Sequence, residues 1–205
     1  AWDLTEGWDF TLKSHREAAH KYQDEKQPML LIGSPPCTPF SQLQTLNPNN
    51  EKSALRWADG VEHMKFVISL YRKQLNEGRI FLHEHPTNAK SWSLREVQKL
   101  AQEQGVGMYE ADQCMYGLKT WGKDRYQLVP AKKPTKFMTN SRAIGAELSR
   151  WCPGVHQHQS LVDGRAAEAA RYPEGLCKAI CRGIIQEKKE RAMCVRAVAK
   201  IPAGY

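Results

Sequence analysis

The run Met29-Leu30-Leu31-Ile32-Gly33-Ser34-Pro35-Pro36-Cys37 constrains this chain more than any other stretch. Its first four residues are apolar, too few for a helix, and read as a buried strand. Gly33 and the two prolines end that strand, because Pro35 and Pro36 have no backbone N–H to give to a ladder. A thiol, Cys37, therefore stands past the carboxyl end of a strand, where open α/β sheets bind ligands. Held by rigid prolines, Cys37 is a candidate nucleophile. The competing reading is a buried structural cysteine beside a Pro-rich turn.

The rest of the chain alternates helix and strand patterns. Residues 1–10 read as a strand end and a turn, and 13–26 as a polar helix that stops before Gln27-Pro28. With the Met29 strand these make a βαβ unit. Residues 42–52, rich in Asn, Gln and Pro, read as a loop able to close over a substrate. Over 53–77, Trp57, Val61, Met64, Phe66, Val67, Leu70, Tyr71 and Leu75 recur at helical spacing, and Gly78 ends the helix. His20 and His63 fall in helices and read as solvated or core-edge histidines. A strand beginning at Arg79 ends in the charged cluster His83-Glu84-His85-Pro86. A helix over 93–104, a strand over 106–110 and a helix over 142–150 follow. A closing helix begins with Pro173 at its first position.

This order predicts an α/β domain over 1–185, with residues 186–205 as a basic C-terminal tail. The length of 205 residues suffices for one such core. The formal net charge of +8 suits a polyanionic partner such as nucleic acid. No apolar run approaches the length of a membrane span, and no signal peptide is visible. Six scattered cysteines do not form a small disulfide framework. They indicate a reducing, intracellular compartment, nuclear or cytoplasmic.

Pro36-Cys37-x-x-Phe40-Ser41 after an apolar strand, with the doubled proline of Ser34-Pro35-Pro36-Cys37, resembles the nucleophile motif of cytosine-5 DNA methyltransferases. The resemblance runs from about Asp9 to Ile180. It implies a Rossmann-like methyltransferase sheet with flanking helices. Cys37 would be the nucleophile, and Glu84, in place of the glutamate of the family's Glu-Asn-Val element, would hold the base; here His85-Pro86 replaces Asn-Val. Asp9, in Gly7-Trp8-Asp9, would contact the adenine of S-adenosylmethionine, with Asp3 as competitor and turn formation as the alternative for both. Pro35 and Pro36 would border that cofactor. Ser34, Ser41 and Lys136 would face the substrate, a flipped cytosine in double-stranded DNA, with Lys136 standing where the family's Gln-x-Arg-x-Arg element lies. The Gly-rich cofactor loop of the family has no counterpart here, so the fold is expected to be N-terminally incomplete. An upstream segment or a partner chain would complete the site. The Lys-Pro-Thr strand and the Cys-x-x-x-His-x-His segment are also similar to methyltransferase-like domains of environmental and mobile-element polyproteins.

Two further functions stay open. One is a catalytically inactive, nucleic-acid-binding relic of the same fold, favoured by the missing Gly-rich loop. The other is a metal-dependent nuclease using His83, Glu84 and His85, although strand alternation puts Glu84 on the face opposite the two histidines. The methyltransferase reading assigns no metal. Cys152, His156, His158, Cys177 and Cys181 nevertheless offer enough donors for a four-ligand zinc site, in a spacing that matches no common zinc signature. The alternative there is two helix cysteines facing the core and two histidines in a basic loop.

Overall fold

Two polar side chains at the start of the chain override the expected strand. The Asp3 carboxylate accepts from the Thr5 and Glu6 N–H groups, and Leu4–Glu6 winds into a 3-10 turn. Asp9 does the same with Thr11. Side-chain acceptors of this kind offer the backbone a turn in place of a ladder, so the segment before the first helix carries no strand. The computed structural model describes residues 2–41, 51–123, 126–161, 165 and 169–198. It divides into two compact units, Ala1–Val106 and Gly107–Tyr205.

In the first unit, α1 (Lys13–Lys26) ends at Gln27, whose left-handed backbone turns the chain into Pro28. Then come β1 (Leu30–Gly33), a 3-10 turn (Thr38–Phe40), α2 (Glu51–Asn76), β2 (Ile80–Pro86) and α3 (Arg95–Ala101). The strands β1 and β2 pair in parallel, with Gly33 opposite His83. A parallel pair needs a long crossover, and α2 supplies it. The βαβ unit is thus β1–α2–β2, one element later than the sequence pattern predicts.

Gln74 of α2 locks this unit internally. Its buried amide nitrogen donates to the carbonyls of Pro28 and Ile80, at the entries of both strands. Its oxygen accepts from Gln23 of α1, which also donates to the Leu70 carbonyl. Around this polar lock sit Met64, Ile68, Tyr71, Ile80, Phe81, Leu82 and Leu100, all buried.

β1 is not the buried strand its composition predicts. None of its residues is fully buried, and Ile32 is 45% exposed. The buried strand is β2, which runs through His83, Glu84 and His85 to Pro86. Apolar runs signal burial only when neighbours cover the strand, and β1 is an edge strand on which α2 packs less closely than on β2.

The second unit holds β3 (Gly107–Asp112), a 3-10 turn (Gln113–Tyr116), the short pair β4 (Lys119–Trp121) and β5 (Leu128–Pro130), β6 (Pro134–Thr139), α4 (Arg142–Glu147) and α5 (Glu174–Val198). β3 and β6 pair antiparallel. The Ser141 hydroxyl caps α4 by accepting from the Ile144 N–H. Helices α4 and α5 cross closely, for a Cβ on Gly183 would come 2.6 Å from the Ile144 Cα. Pro173 is not the first residue of α5. It precedes it, and its carbonyl accepts from the Leu176 and Cys177 N–H groups. α5 continues unbroken past residue 185, and the basic segment is helical as far as Val198.

The described residues are therefore α/β, with one parallel and two antiparallel strand pairs and flanking helices. No helix among the described residues is long and apolar enough to cross a membrane.

Candidate functional site

The parallel register places Ser34, the residue after β1, beside the middle of the β2 charged cluster. The Ser34 hydroxyl donates to Glu84 Oε2 at 2.5 Å. Glu84 is only 3% exposed, and its other oxygen, Oε1, is buried with no hydrogen-bond partner among the described residues. An unpaired buried polar group costs about 1–3 kcal/mol, more when charged. Such an atom in a native fold calls for a ligand, a water or a catalytic role.

The chain then crosses Pro35 and Pro36 to Cys37, which is exposed. The turn that carries it is held from below. His85 Nε2 lies 3.1 Å from the Pro35 carbonyl, and since a carbonyl can only accept, Nε2 carries a proton and donates it. His85 Nδ1 lies 2.6 Å from the Ser91 hydroxyl. The Cys37 carbonyl accepts from the Phe40 N–H. Phe40 is buried between Trp57 and His85. Gly60 of α2 allows this, because a Cβ there would sit 2.6 Å from the Pro39 side chain.

His83, on the same face as His85, pairs with the Tyr71 hydroxyl at 3.2 Å and meets the Trp92 ring edge-on. Complete burial, and secondarily the neighbouring His85, hold its imidazole well below the usual histidine range. The two histidines are core residues that brace β2. Glu84 projects to the other face, so the three do not form one metal site.

The remaining predicted residues lie elsewhere or are otherwise engaged. The Asp9 carboxylate takes both the Thr11 N–H and its hydroxyl, and these bonds hold it below the ordinary carboxylate range. Asp3 is bound to Thr5 in the same way. Pro35 is buried and Pro36 exposed. Ser41 closes the 3-10 turn, its N–H donating to the Thr38 carbonyl. The loop expected over 42–52 lies outside the described residues up to 50, and residues 51 and 52 belong to α2. Lys136 is in the second unit, on β6 directly opposite Glu110 of β3, and its ammonium pairs with that carboxylate at 2.9 Å. It is a cross-strand ion pair rather than a bare cation set out for a phosphate.

The five candidate zinc donors separate into two groups. Cys177 and Cys181 are exposed on α5, neither facing a core nor joined to the others. Cys152, His156 and His158 do converge, and the fourth group beside them is Cys114, from the 3-10 turn after β3. Cys114 is not among the donors expected from the sequence. Its only signal is a thiol directly past a strand end, two residues after the buried Asp112. Burial, then its contact with Cys152, push the Cys114 thiol up to about 11.

Searches of family models, curated proteins and solved structures find nothing that matches the chain.

Proposed function

We propose that the first unit is a cytosine-5 methyltransferase-like domain that engages a flipped pyrimidine of DNA through Cys37 and Glu84. One observation carries this reading. Glu84 is buried with one carboxylate oxygen that has no hydrogen-bond partner among the described residues, and Ser34 ties it to the turn that presents the exposed Cys37. The formal net charge of +8 suits a polyanionic partner for the chain as a whole, but it lies entirely in the second unit, since residues 1–106 hold 13 Lys and Arg against 13 Asp and Glu.

The chemistry balances as a conjugate addition. The base leaves the stack, and the Cys37 thiolate forms a bond to C6. The C5–C6 π pair moves into C4–C5, and the C4–N3 pair moves onto N3. N3 takes a proton from the Glu84 carboxyl, and Ser34 keeps that carboxyl oriented. General acid assistance of this kind contributes about 10²–10⁴-fold.

A Rossmann-like sheet belongs to the same proposal, supported by the parallel β1–α2–β2 unit with its site at the carboxyl ends of the strands. The resemblance also assigns S-adenosylmethionine as methyl donor, and the residues named for it do not make that site. Asp9 Oδ1 is taken by the Thr11 N–H and hydroxyl, and the Pro35 carbonyl by His85. The relic reading gains from that observation, and the test separates the two.

A duplex carrying pyrimidin-2-one at the target position traps thiol addition without a methyl donor. A 5-fluorocytosine duplex with S-adenosylmethionine traps it only after methyl transfer. Adduct formation is read by denaturing gel and mass spectrometry, with Cys37→Ser as control. An adduct at Cys37 with the first duplex supports the thiol chemistry, and one with the second also supports the methyl donor. Salt-sensitive binding without any adduct leaves the relic, and no binding overturns the proposal.

A further inference from the structure

We infer that Cys114, Cys152, His156 and His158 form a structural zinc site in the second unit. This rests on those four residues alone and is independent of the function proposed for the first unit.

The four donor atoms converge at close to the spacing of a tetrahedral ligand set. Cys152 Sγ lies 3.6 Å from His156 Nε2 and 3.4 Å from His158 Nε2. All four donor atoms lie within 4.8 Å of one another. With zinc–sulfur bonds of about 2.3 Å and zinc–nitrogen bonds of about 2.0–2.1 Å, the edges of a tetrahedral site are about 3.3–3.8 Å. Two of the measured separations fall in that range, and side-chain adjustments of an ångström or less bring in the rest. Both cysteines are free thiols.

The surroundings are built for the same purpose. The turn Cys152-Pro153-Gly154 folds back so that the Gly154 N–H donates to Cys152 Sγ at 3.4 Å, and the left-handed backbone of Gly154 (φ +77°) then redirects the chain into Val155. The buried Asp112 accepts from the Cys152 N–H at 2.9 Å and thereby anchors the first ligand of the loop to the end of β3. Groups of this kind orient metal ligands. The loop is pinned at its two ends, where the Arg150 carbonyl accepts from the Asp112 N–H and the Gln159 N–H donates to the Pro130 carbonyl, but its middle is not packed. Trp151 is exposed, and Val155 is 83% exposed. Apolar burial therefore does not fix the segment, and a metal would.

Two thiolates and two neutral imidazoles balance the charge of a divalent ion. Four protein ligands leave no open position, which marks a structural rather than a catalytic site. Soft thiolates with imidazole select zinc over magnesium or calcium.

The full chain, purified without chelator, should carry one zinc per chain by mass spectrometry of metals. After exchange, cobalt(II) should show the ligand-field bands of a tetrahedral site and a thiolate charge-transfer band. Zinc should protect Cys114 and Cys152 from alkylation while Cys177 and Cys181 react. Cys114→Ser and Cys152→Ser should each lower the zinc stoichiometry below half. Cys177→Ser and Cys181→Ser should leave it at one. An octahedral cobalt spectrum, no zinc uptake by the wild-type chain, or a Cys114–Cys152 disulfide formed equally with and without zinc would each overturn the site. The wild-type measurements decide the matter even where a variant fails to fold.

Discussion

The two units use cysteine in opposite ways. In the first, Cys37 is exposed on a proline turn whose backbone is fixed by His85 under Pro35, Phe40 in the core and Gly60 against Pro39. In the second, Cys114 and Cys152 lie side by side with two imidazoles close by. An accessible thiol on a rigid turn suits attack on a substrate. Thiols gathered with imidazoles suit a metal. The contrast shows that cysteine chemistry here is set by what converges on the sulfur, and not by the local sequence around it.

The strongest way to break this comparison is through Glu84. Glu84→Gln keeps the shape and removes the acid. The rate of Cys37 adduct formation with the pyrimidin-2-one duplex should fall about 10²–10⁴-fold, measured in single turnover, with zinc content unchanged. An unaltered rate would leave Cys37 an exposed thiol without a partner.

Next in size are two glycines that each accommodate a tyrosine. A Cβ on Gly33 would run into the Tyr71 hydroxyl, and one on Gly145 into the Tyr109 ring. Overpacking of this kind costs about 1–3 kcal/mol, to be measured by urea unfolding for Gly33→Ala and Gly145→Ala. Gly33→Ala should also slow the Cys37 adduct, because the turn follows directly, whereas Gly145→Ala should not. Equal effects of both on Cys37 would mean that the units do not act separately.

The pH dependence sharpens the contrast further. His83 stays neutral when folded, because burial holds its proton affinity down, while the unfolded chain binds that proton below the ordinary value of 6.5. The unfolded state then holds more protons, so stability is full above about pH 6.5 and falls as the pH drops beneath it. For one proton the slope is at most about 1.4 kcal/mol per pH unit. His20 and His63 add to it in the same direction, both lowered first by burial. His83→Gln should flatten this slope in unfolding curves taken from pH 7 down to 5.

The smallest effect belongs to the Arg182–Glu147 pair, which joins α5 to α4 through two hydrogen bonds to one carboxylate oxygen. Both side chains are partly exposed. Arg182→Ala should cost no more than about 1 kcal/mol and leave zinc content and Cys37 reactivity alone.

Much was legible along the chain. The helix over 13–26, the Gly78 stop and the turn presenting Cys37 all follow from local chemistry: polar patterning, a left-handed glycine (φ +68°) and proline's missing N–H. The opposed faces of Glu84 and its two histidines also follow from strand alternation alone.

Tertiary structure decided the rest. Whether an apolar run is buried depends on what covers it, and this made β2 rather than β1 the buried strand. The grip of Ser34 on Glu84 arises from strands brought into register across a long helix. The fourth zinc donor came from Cys114 and not from α5, because no spacing rule reaches from one strand end to a loop far downstream. Sequence determined which groups can do chemistry and where the backbone must turn. Only the packed chain, in which burial and convergence act on groups distant in sequence, determined which of them meet.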